Sequence, residues 1–218
     1  MVRSLEVKGT VLLNERLTGG GTLLKIGLTG GAATGKSTVG SILKELGAYI
    51  IDLDVIAREV VEKGSPCLDE IAAQFGKDIL QPDGSLDRKK LGDLVFSDRN
   101  KLRKLNSIVH PVMIDRVEKE LAELEKRSDI PAVVIDAAIL IEMGLHRLVD
   151  SVWLVKADRE TQVRRLIERD GMTREKAENI IDSQMPMEEK ERYADIIIEN
   201  IGTKKELETK IRKLWRKQ

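Results

Sequence analysis

One short segment limits the folds open to this chain more than any other feature. Residues 27–38 read GLTGGAATGKST, in which two glycines five positions apart are followed directly by Lys36 and Ser37. Glycines at this spacing let the backbone turn its N–H groups around an anion, and a helix beginning at the lysine points its positive end at the same anion. The segment therefore predicts a phosphate-binding loop between a buried strand and a helix.

The residues of this loop have separate expected roles. Lys36 is expected to reach the β- and γ-phosphates of a nucleotide, and the Ser37 hydroxyl is expected to bind Mg²⁺. The nucleotide phosphates are expected to contact the whole run of Gly30, Gly31, Ala32, Ala33, Thr34, Gly35, Lys36, Ser37 and Thr38.

Strands and helices alternate around the loop. Leu24–Thr29 is a short apolar run that predicts a buried strand, and the apolar residues of Lys36–Leu46 recur at helical spacing. Further strands are predicted at Ala48–Ile51, Ala132–Ile135, Val152–Val155 and Ile196–Ile198, with a run of helices from Val55 to about Arg127. The pattern predicts an α/β, three-layer fold of the P-loop NTPase type, whose five-stranded parallel sheet has helices on both faces.

Composition and charge exclude several classes of protein. The 37 basic and 37 acidic residues cancel, so the broad basic surface of a non-specific nucleic-acid binder is not expected. Cys67 is the single cysteine, which rules out an intramolecular disulfide and fits a reducing cytoplasm. No apolar run is long enough to span a membrane. Residues 1–22 end in three glycines and predict an N-terminal extension, with an edge strand at Glu6–Leu13 as the alternative.

Three aspartates follow predicted strands, where parallel sheets bind their ligands. Asp52 and Asp54 end the second strand, and alternate residues of an extended strand share a face, so both could point into one pocket. One would then hold a metal-bound water and the other accept a hydroxyl proton, unless one of them caps the helix from Val55. Asp136 ends the next strand and is expected to hold Mg²⁺ through water, with a helix or turn cap as the alternative.

Residues 158–193 are dense in charge, and such a run usually forms a solvated face, with a helical lid over the phosphates of a kinase as the alternative. Arg165 and Arg169 are four positions apart on one helix face, from which they could cover transferring phosphates. Gly171 and Pro186 are positions at which such a lid could bend. His110 precedes a proline between two predicted helices, and either a helix junction or a contact to an acceptor substrate would explain it.

Three functions are compatible with these residues: a small-molecule kinase, a GTPase switch and a nucleotide-gated binding module. The common GTPase guanine-binding tetrapeptide Asn-Lys-x-Asp is absent from the sequence. The length suits a kinase of a small metabolite, with another metabolite or nucleoside kinase and an ATP-binding regulator as the alternatives.

From about Leu24 onward the chain resembles dephospho-CoA kinase. The matching segments are GLTGGAATGKSTV, IDLDVIAREVVEKG, LNSIVHP, ETQVRRLIERDGMTREKAENIIDSQM and AD-x-x-I-x-N at 194–200. The resemblance implies that the chain uses ATP and Mg²⁺ to phosphorylate the ribose 3′-hydroxyl of dephospho-CoA, in the last step of coenzyme A biosynthesis. It implies a cytoplasmic monomer or small homo-oligomer whose partners are these small molecules.

The resemblance also implies roles for individual residues. Asp54 matches the general base, and Arg58 and His110 match positions on the acceptor side. Arg165 matches a lid arginine on the phosphates, so that Asp54, Lys36 and Arg165 are the expected catalytic residues. Asn200 and Gly202 are expected to border the adenine.

The resemblance divides the chain into parts and shows one departure. The implied parts are an extension at 1–22 and a kinase domain at 23–218, with a core at 23–55, 128–157 and 193–218, an acceptor-binding insertion at 56–127 and a lid at 158–192. Ala138 stands where the family usually has a proline, which predicts a looser loop facing the acceptor.

Overall fold

The sheet has five strands and places the glycine-rich loop at its middle. The structure, a computed structural model, describes residues 23–216, so the predicted extension at 1–22 and its alternative strand lie outside the described residues. The strands are β1 (Leu24–Gly30), β2 (Tyr49–Asp52), β3 (Ala132–Asp136), β4 (Ser151–Lys156) and β5 (Ile196–Glu199). Their order is β2-β3-β1-β4-β5, and β1 pairs in parallel with both β3 and β4. Every predicted strand is confirmed to within one residue at each end.

Nine α-helices lie between and after these strands within the described residues. They are α1 (Lys36–Glu45), α2 (Leu53–Glu59), α3 (Pro66–Phe75), α4 (Arg88–Phe96), α5 (Arg99–Leu124), α6 (Arg159–Asp170), α7 (Arg174–Asp182), α8 (Met187–Glu191) and α9 (Lys204–Trp215). Among the described residues, no helix combines the length and the apolar character that crossing a bilayer requires.

The sheet is covered on both faces. On one face Ile26 and Leu28 pack with residues of α1 and α9, including Leu43 and Ile211. The alternate strand positions, which point to the opposite face, are fully buried as well, as Ile135 shows. A parallel sheet buried on both faces is what the apolar strands predicted.

Short polar side chains cap the N-terminal ends of several helices, including α4, α5, α6 and α7. The N-terminal backbone N–H groups of these helices donate to Asp87, Asp98, Asp158 and Thr173. Such caps satisfy donors that have no partner within the helix, and each is worth about 1 kcal/mol. Helix starts are therefore fixed locally by short polar side chains.

The chain divides into two compact units. Among the described residues, the first contains 23–51 and 121–216 and includes most of the sheet, and the second contains residues 52–120. The second unit has its own apolar cluster, in which Ile71 and Cys67 are buried with Val95 and Ile108. The helices predicted between Val55 and about Arg127 are confirmed as α2 to α5.

The long helix α5 corrects one prediction. We expected a helix junction as one explanation for His110, but the helix continues through Pro111 from Arg99 to Leu124. An internal proline removes one backbone hydrogen bond at a cost of about 3 kcal/mol. Met113 and Val117, which follow on the same helix, are buried, and this packing outweighs the local preference.

Candidate active site

Three carbonyl groups of the glycine-rich loop accept hydrogen bonds from protein side chains. The Thr34 carbonyl accepts from Asn200 Nδ2 at 2.8 Å and from the Arg165 guanidinium at 3.3 Å. The same guanidinium donates to the Ala33 carbonyl at 3.2 Å, and the Thr34 hydroxyl donates to the Gly31 carbonyl at 2.9 Å. Carbonyl oxygens that faced a phosphate would repel it, so this arrangement suits a loop that binds anions through N–H groups.

Two residues of the loop have left-handed backbone angles. Ala33 has a φ of 54°, and Gly35, directly before α1, has a φ of 96°. A Cβ atom at Gly35 would lie 2.2 Å from Asn200 Nδ2, far inside contact distance. Glycine is therefore required here both by the backbone angle and by the side chain that holds Thr34.

Lys36 and Asp136 form an ion pair with each other. We expected Lys36 to reach nucleotide phosphates and Asp136 to hold a metal through water, whereas in the structure the Lys36 ammonium donates to Asp136 Oδ1. Only 15% of the lysine side chain and 12% of the aspartate side chain are exposed, so water screens this pair weakly. A Cβ atom on Gly40 would lie 3.1 Å from the second carboxylate oxygen, which places Asp136 against α1.

The residues around this pair suit a hard divalent cation. Asp136 supplies carboxylate oxygens, and Ser37 is exposed in the first turn of α1. Among the described residues, no group of three or more His, Cys, Asp or Glu side chains forms a dedicated metal cage. One carboxylate, one hydroxyl, substrate phosphates and water form the ligand set that Mg²⁺ commonly uses.

The two lid arginines have different environments. Arg165 is partly buried and bonds the loop carbonyls and the Asn200 carbonyl, the last at 3.0 Å. Arg169 is exposed and forms a two-point contact with Asp170, at 2.8 and 2.7 Å. The predicted contact of Arg165 with phosphates stays a prediction, while the structure gives this side chain a role in holding the loop.

Asn200 and Gly202 line a cavity beyond the end of β5. The cavity has a volume of about 240 Å³ and is also lined by Ile201, Thr203 and Leu207. Because Asn200 bonds both Thr34 and Arg165, the cavity is tied to the glycine-rich loop within the same unit. The two residues predicted to border a base therefore lie together at one site.

The two aspartates after β2 correct a second prediction. Asp52 caps α2 by accepting from the backbone N–H groups of Asp54 at 2.8 Å and Val55 at 3.3 Å. Because the helix begins at Leu53, Asp54 is helical, and the argument that alternate strand residues share a face fails. The cap role, one of the alternatives from the sequence, belongs to Asp52, and Asp54 is left exposed in the first turn.

The predicted acceptor-side residues lie in the second unit. Arg58 is exposed in α2, and its carbonyl accepts from the Arg88 guanidinium at 3.2 Å. His110 is half-buried in α5, and this burial lowers the pKa of its imidazole below the ordinary value. Their contact with an acceptor stays a prediction.

Two side chains that the sequence did not single out contact loops of the first unit. Gln184 accepts the Ala32 N–H, and the fully buried Lys190 contacts the carbonyl of Ala138. Gln184 lies within one of the segments that match the family, but no neighbouring residue in the sequence indicates that it contacts the glycine-rich loop. Lys190 lies in a charged run that predicts a solvated face, so its burial has no local signal.

Comparisons with known proteins show the family to which the chain belongs. The family model described as dephospho-CoA kinase matches residues 24–206. The chain belongs to the dephospho-CoA kinase family. The dephospho-CoA kinase of Geobacter sulfurreducens is 50% identical over 193 residues, which cover 88% of this chain and 98% of the relative. This family carries out the ATP-dependent phosphorylation of the 3′-hydroxyl of dephospho-CoA, the last step of coenzyme A biosynthesis.

Solved structures support the same membership. The dephospho-CoA kinase from Campylobacter jejuni has a TM-score of 0.68 and 27% identity, with 88% of this chain and 95% of that chain covered. A crystal structure of a Thermus thermophilus protein has a TM-score of 0.76 and 33% identity, with 90% of this chain and 98% of that chain covered. The similarity therefore extends over nearly the whole of each chain.

Proposed function

We propose that this chain transfers the γ-phosphoryl group of ATP to the ribose 3′-hydroxyl of dephospho-CoA through the loop at residues 30–37. The observation that carries the proposal is the ordered loop, with its carbonyls engaged by Arg165, Asn200 and Thr34 and with Lys36 at the start of α1. A loop built in this way needs little rearrangement to bind a polyphosphate, which favours positioning and electrostatic stabilisation of the transfer.

Lys36 is proposed to stabilise the negative charge of the transferring group. Its present partner Asp136 holds the ammonium at the start of α1, and a bound polyphosphate would compete for the same cation. Ser37 and Asp136 are proposed to hold Mg²⁺, the latter through water, and when bound the cation neutralises phosphate charge. The Asp136 carboxylate, which lies against α1 beside Lys36, is proposed to orient that water.

Asp54 is proposed to orient the 3′-hydroxyl and accept its proton. Its side chain is exposed, and its bond to Asp52 uses the backbone N–H, which leaves the carboxylate accessible to a substrate. Arg58 and His110 are proposed to bind the acceptor, whose phosphate groups suit the cationic guanidinium. Arg169 is proposed to contact the ATP phosphates after it leaves Asp170, and Arg165 does so while it holds the loop.

The adenine of ATP is proposed to occupy the cavity lined by Asn200 and Gly202. The core at 23–55, 128–157 and 193–218 would bind ATP, the insertion at 56–127 the acceptor, and residues 158–192 would act as the lid. We further propose that the protein acts in the cytoplasm as a monomer or small homo-oligomer.

An ADP-release assay with Mg-ATP tests the reaction. Dephospho-CoA is compared with adenosine, AMP, pantothenate and shikimate as acceptors, and the position of the new phosphate is read from the product by NMR. We expect ADP release with dephospho-CoA and phosphorylation at the 3′ position. ADP release with another acceptor alone would contradict the substrate, and ATP binding with no transfer to any acceptor would contradict the kinase activity.

A further inference from the structure

The seven residues at 184–190, which we name the strap, contact two loops at once. The strap runs from the end of α7 into α8 and begins with Gln184 and ends with Lys190. One end contacts the glycine-rich loop and the other contacts the loop that follows β3. The first loop lies directly before Lys36 and the second directly after Asp136, so the strap connects the two halves of the phosphate site.

At its first end, the strap holds a peptide of the glycine-rich loop. Gln184 Oε1 accepts the backbone N–H of Ala32 at 2.8 Å. A Cβ atom on Gly31 would lie 3.1 Å from Met187 Cε, so a second strap residue packs against the residue that precedes Ala32. These contacts restrict the loop at residues 31 and 32. The carbonyls that Arg165 and Asn200 hold belong to the next two residues, 33 and 34.

At its second end, the strap places a fully buried ammonium beside the loop after β3. Lys190 Nζ donates to the Ala138 carbonyl at 2.6 Å and pairs with Glu142 at 3.0 Å. The Thr29 hydroxyl of β1 donates to the same carbonyl at 3.2 Å. Ala138 is two residues beyond Asp136, so its carbonyl is fixed close to the carboxylate that pairs with Lys36.

A buried ammonium costs free energy unless good partners offset it, and a buried ion pair is weak evidence for stability. Both partners of Lys190 lie on the short loop after β3, so the main effect of these two contacts is to fix the position of that loop. We propose that Gln184 and Lys190 are positioning residues, which hold the phosphate loop and the loop after Asp136 in the arrangement that phosphoryl transfer requires.

The two contacts predict different kinetic effects. Gln184 contacts the loop that is proposed to bind ATP. Without this contact, part of the binding free energy of ATP is used to order the loop, so the affinity for ATP falls. Lys190 contacts the loop beside Asp136, so its loss is expected to lower kcat with little change in ATP affinity. This inference rests on the proposed function, because it takes residues 30–37 as the phosphate site.

ATP affinity and amide exchange test the first contact. In Gln184→Met, which keeps the side-chain length but removes the acceptor, we expect the Kd for a fluorescent ATP analogue to rise roughly tenfold. We also expect the Ala32 amide to exchange faster in the absence of nucleotide. Gln74→Met, at an exposed glutamine, is the matched control and should change neither value. Unchanged affinity and unchanged exchange in Gln184→Met would overturn this part of the proposal.

Steady-state kinetics test the second contact. In Lys190→Met we expect kcat to fall roughly tenfold or more while the Kd for ATP stays within about twofold, and Lys213→Met, at an exposed lysine, is the matched control. If Lys190→Met does not fold, Thr29→Val removes the other donor to Ala138 and is expected to lower kcat in the same direction. If Lys190→Met folds and keeps the wild-type kcat, the proposed role of this end of the strap is wrong. If Lys190→Met does not fold, a wild-type kcat in Thr29→Val would overturn the role instead.

One further variant separates this inference from the proposed function. Lys36→Ala is expected to weaken ATP binding and turnover strongly. If Lys36→Ala binds ATP as the wild type does, the phosphate site itself is wrong. If Lys36→Ala loses ATP while Gln184→Met and Lys190→Met behave as their controls do, only the strap proposal fails.

Discussion

At the scale of single residues, Gly35 shows how one side chain limits the site. Its backbone angle is left-handed, and the amide of Asn200 occupies the space where a Cβ atom would lie. That amide also holds the Thr34 carbonyl. A substitution at Gly35 would therefore displace the contact that keeps this carbonyl away from the phosphate.

We expect Gly35→Ala to abolish measurable ATP binding and turnover. Gly144→Ala is the matched control, because Gly144 is also left-handed, with a φ of 76° and a ψ of 5°, but nothing lies within 4 Å of its added Cβ atom. The control is expected to lose only about 1 kcal/mol of stability from the backbone strain. Isothermal titration with ATP and thermal unfolding of both variants provide the comparison, and ATP binding by Gly35→Ala near the wild-type affinity would contradict the contact with Asn200.

The two aspartates after β2 provide a second test at this scale. Asp54→Asn is expected to lower kcat roughly a hundredfold or more while ATP still binds, because asparagine cannot accept the hydroxyl proton. Asp52→Asn is the matched control, since asparagine caps helices about as well as aspartate does. If steady-state kinetics show the larger loss of kcat in Asp52→Asn, the assignment of Asp54 as the general base is wrong.

At the scale of elements, α5 carries a half-buried histidine next to an internal proline. Burial lowers the pKa of His110, so the folded protein keeps the imidazole neutral in a range where the unfolded chain is protonated. The unfolded state then binds more protons, and the stability contributed by the neutral imidazole is present above the unfolded pKa and is lost as the pH falls toward the folded value.

We expect the free energy of unfolding of the wild type to fall as the pH is lowered below the ordinary histidine pKa of about 6.5. The variant His110→Gln cannot titrate and is expected to show a shallower decrease over the same range. Urea unfolding of both proteins between pH 7.5 and 5 measures the difference. Identical slopes for the two proteins would show that His110 is not the group responsible.

At the scale of the whole molecule, the second unit has an apolar cluster of its own around the single cysteine. Cys67 is buried in this cluster, and burial together with the nearby Glu70 raises the pKa of its thiol. A buried thiol with a raised pKa reacts slowly, because the thiolate is the nucleophile and the reagent needs access. The labelling rate of Cys67 therefore reports opening of the second unit.

We expect Ile71→Ala to accelerate labelling of Cys67 by Ellman's reagent roughly tenfold or more. The substitution leaves a cavity at a fully buried position of the same cluster, which costs about 2–5 kcal/mol. Gln74→Ala, at an exposed position of the same helix, should label at the wild-type rate. Fast labelling in the wild type would contradict the burial of this thiol.

Much of the architecture could be predicted because its signals are local. The strands are short apolar runs, Asp158 and Thr173 are caps that bond the next few backbone N–H groups, and the glycine-rich loop lies between its expected strand and helix. Two predictions made from local sequence were wrong, namely that Asp54 shares a strand face with Asp52 and that a helix junction lies at His110. Asp54 is helical because Asp52 caps α2 and the helix begins at Leu53, two residues earlier than expected, and tertiary burial carries α5 through Pro111.

By itself the sequence determined the family, the parallel α/β sheet and the loop at residues 30–37, because these depend on residue types at short, fixed spacings. Only the tertiary structure decided that Lys36 pairs with Asp136 and that Arg165 and Asn200 hold the loop. It alone revealed that Gln184 and the buried Lys190 brace the two loops. These contacts join residues that are far apart in the chain, and their partners are set by how helices and strands pack, which no local pattern encodes.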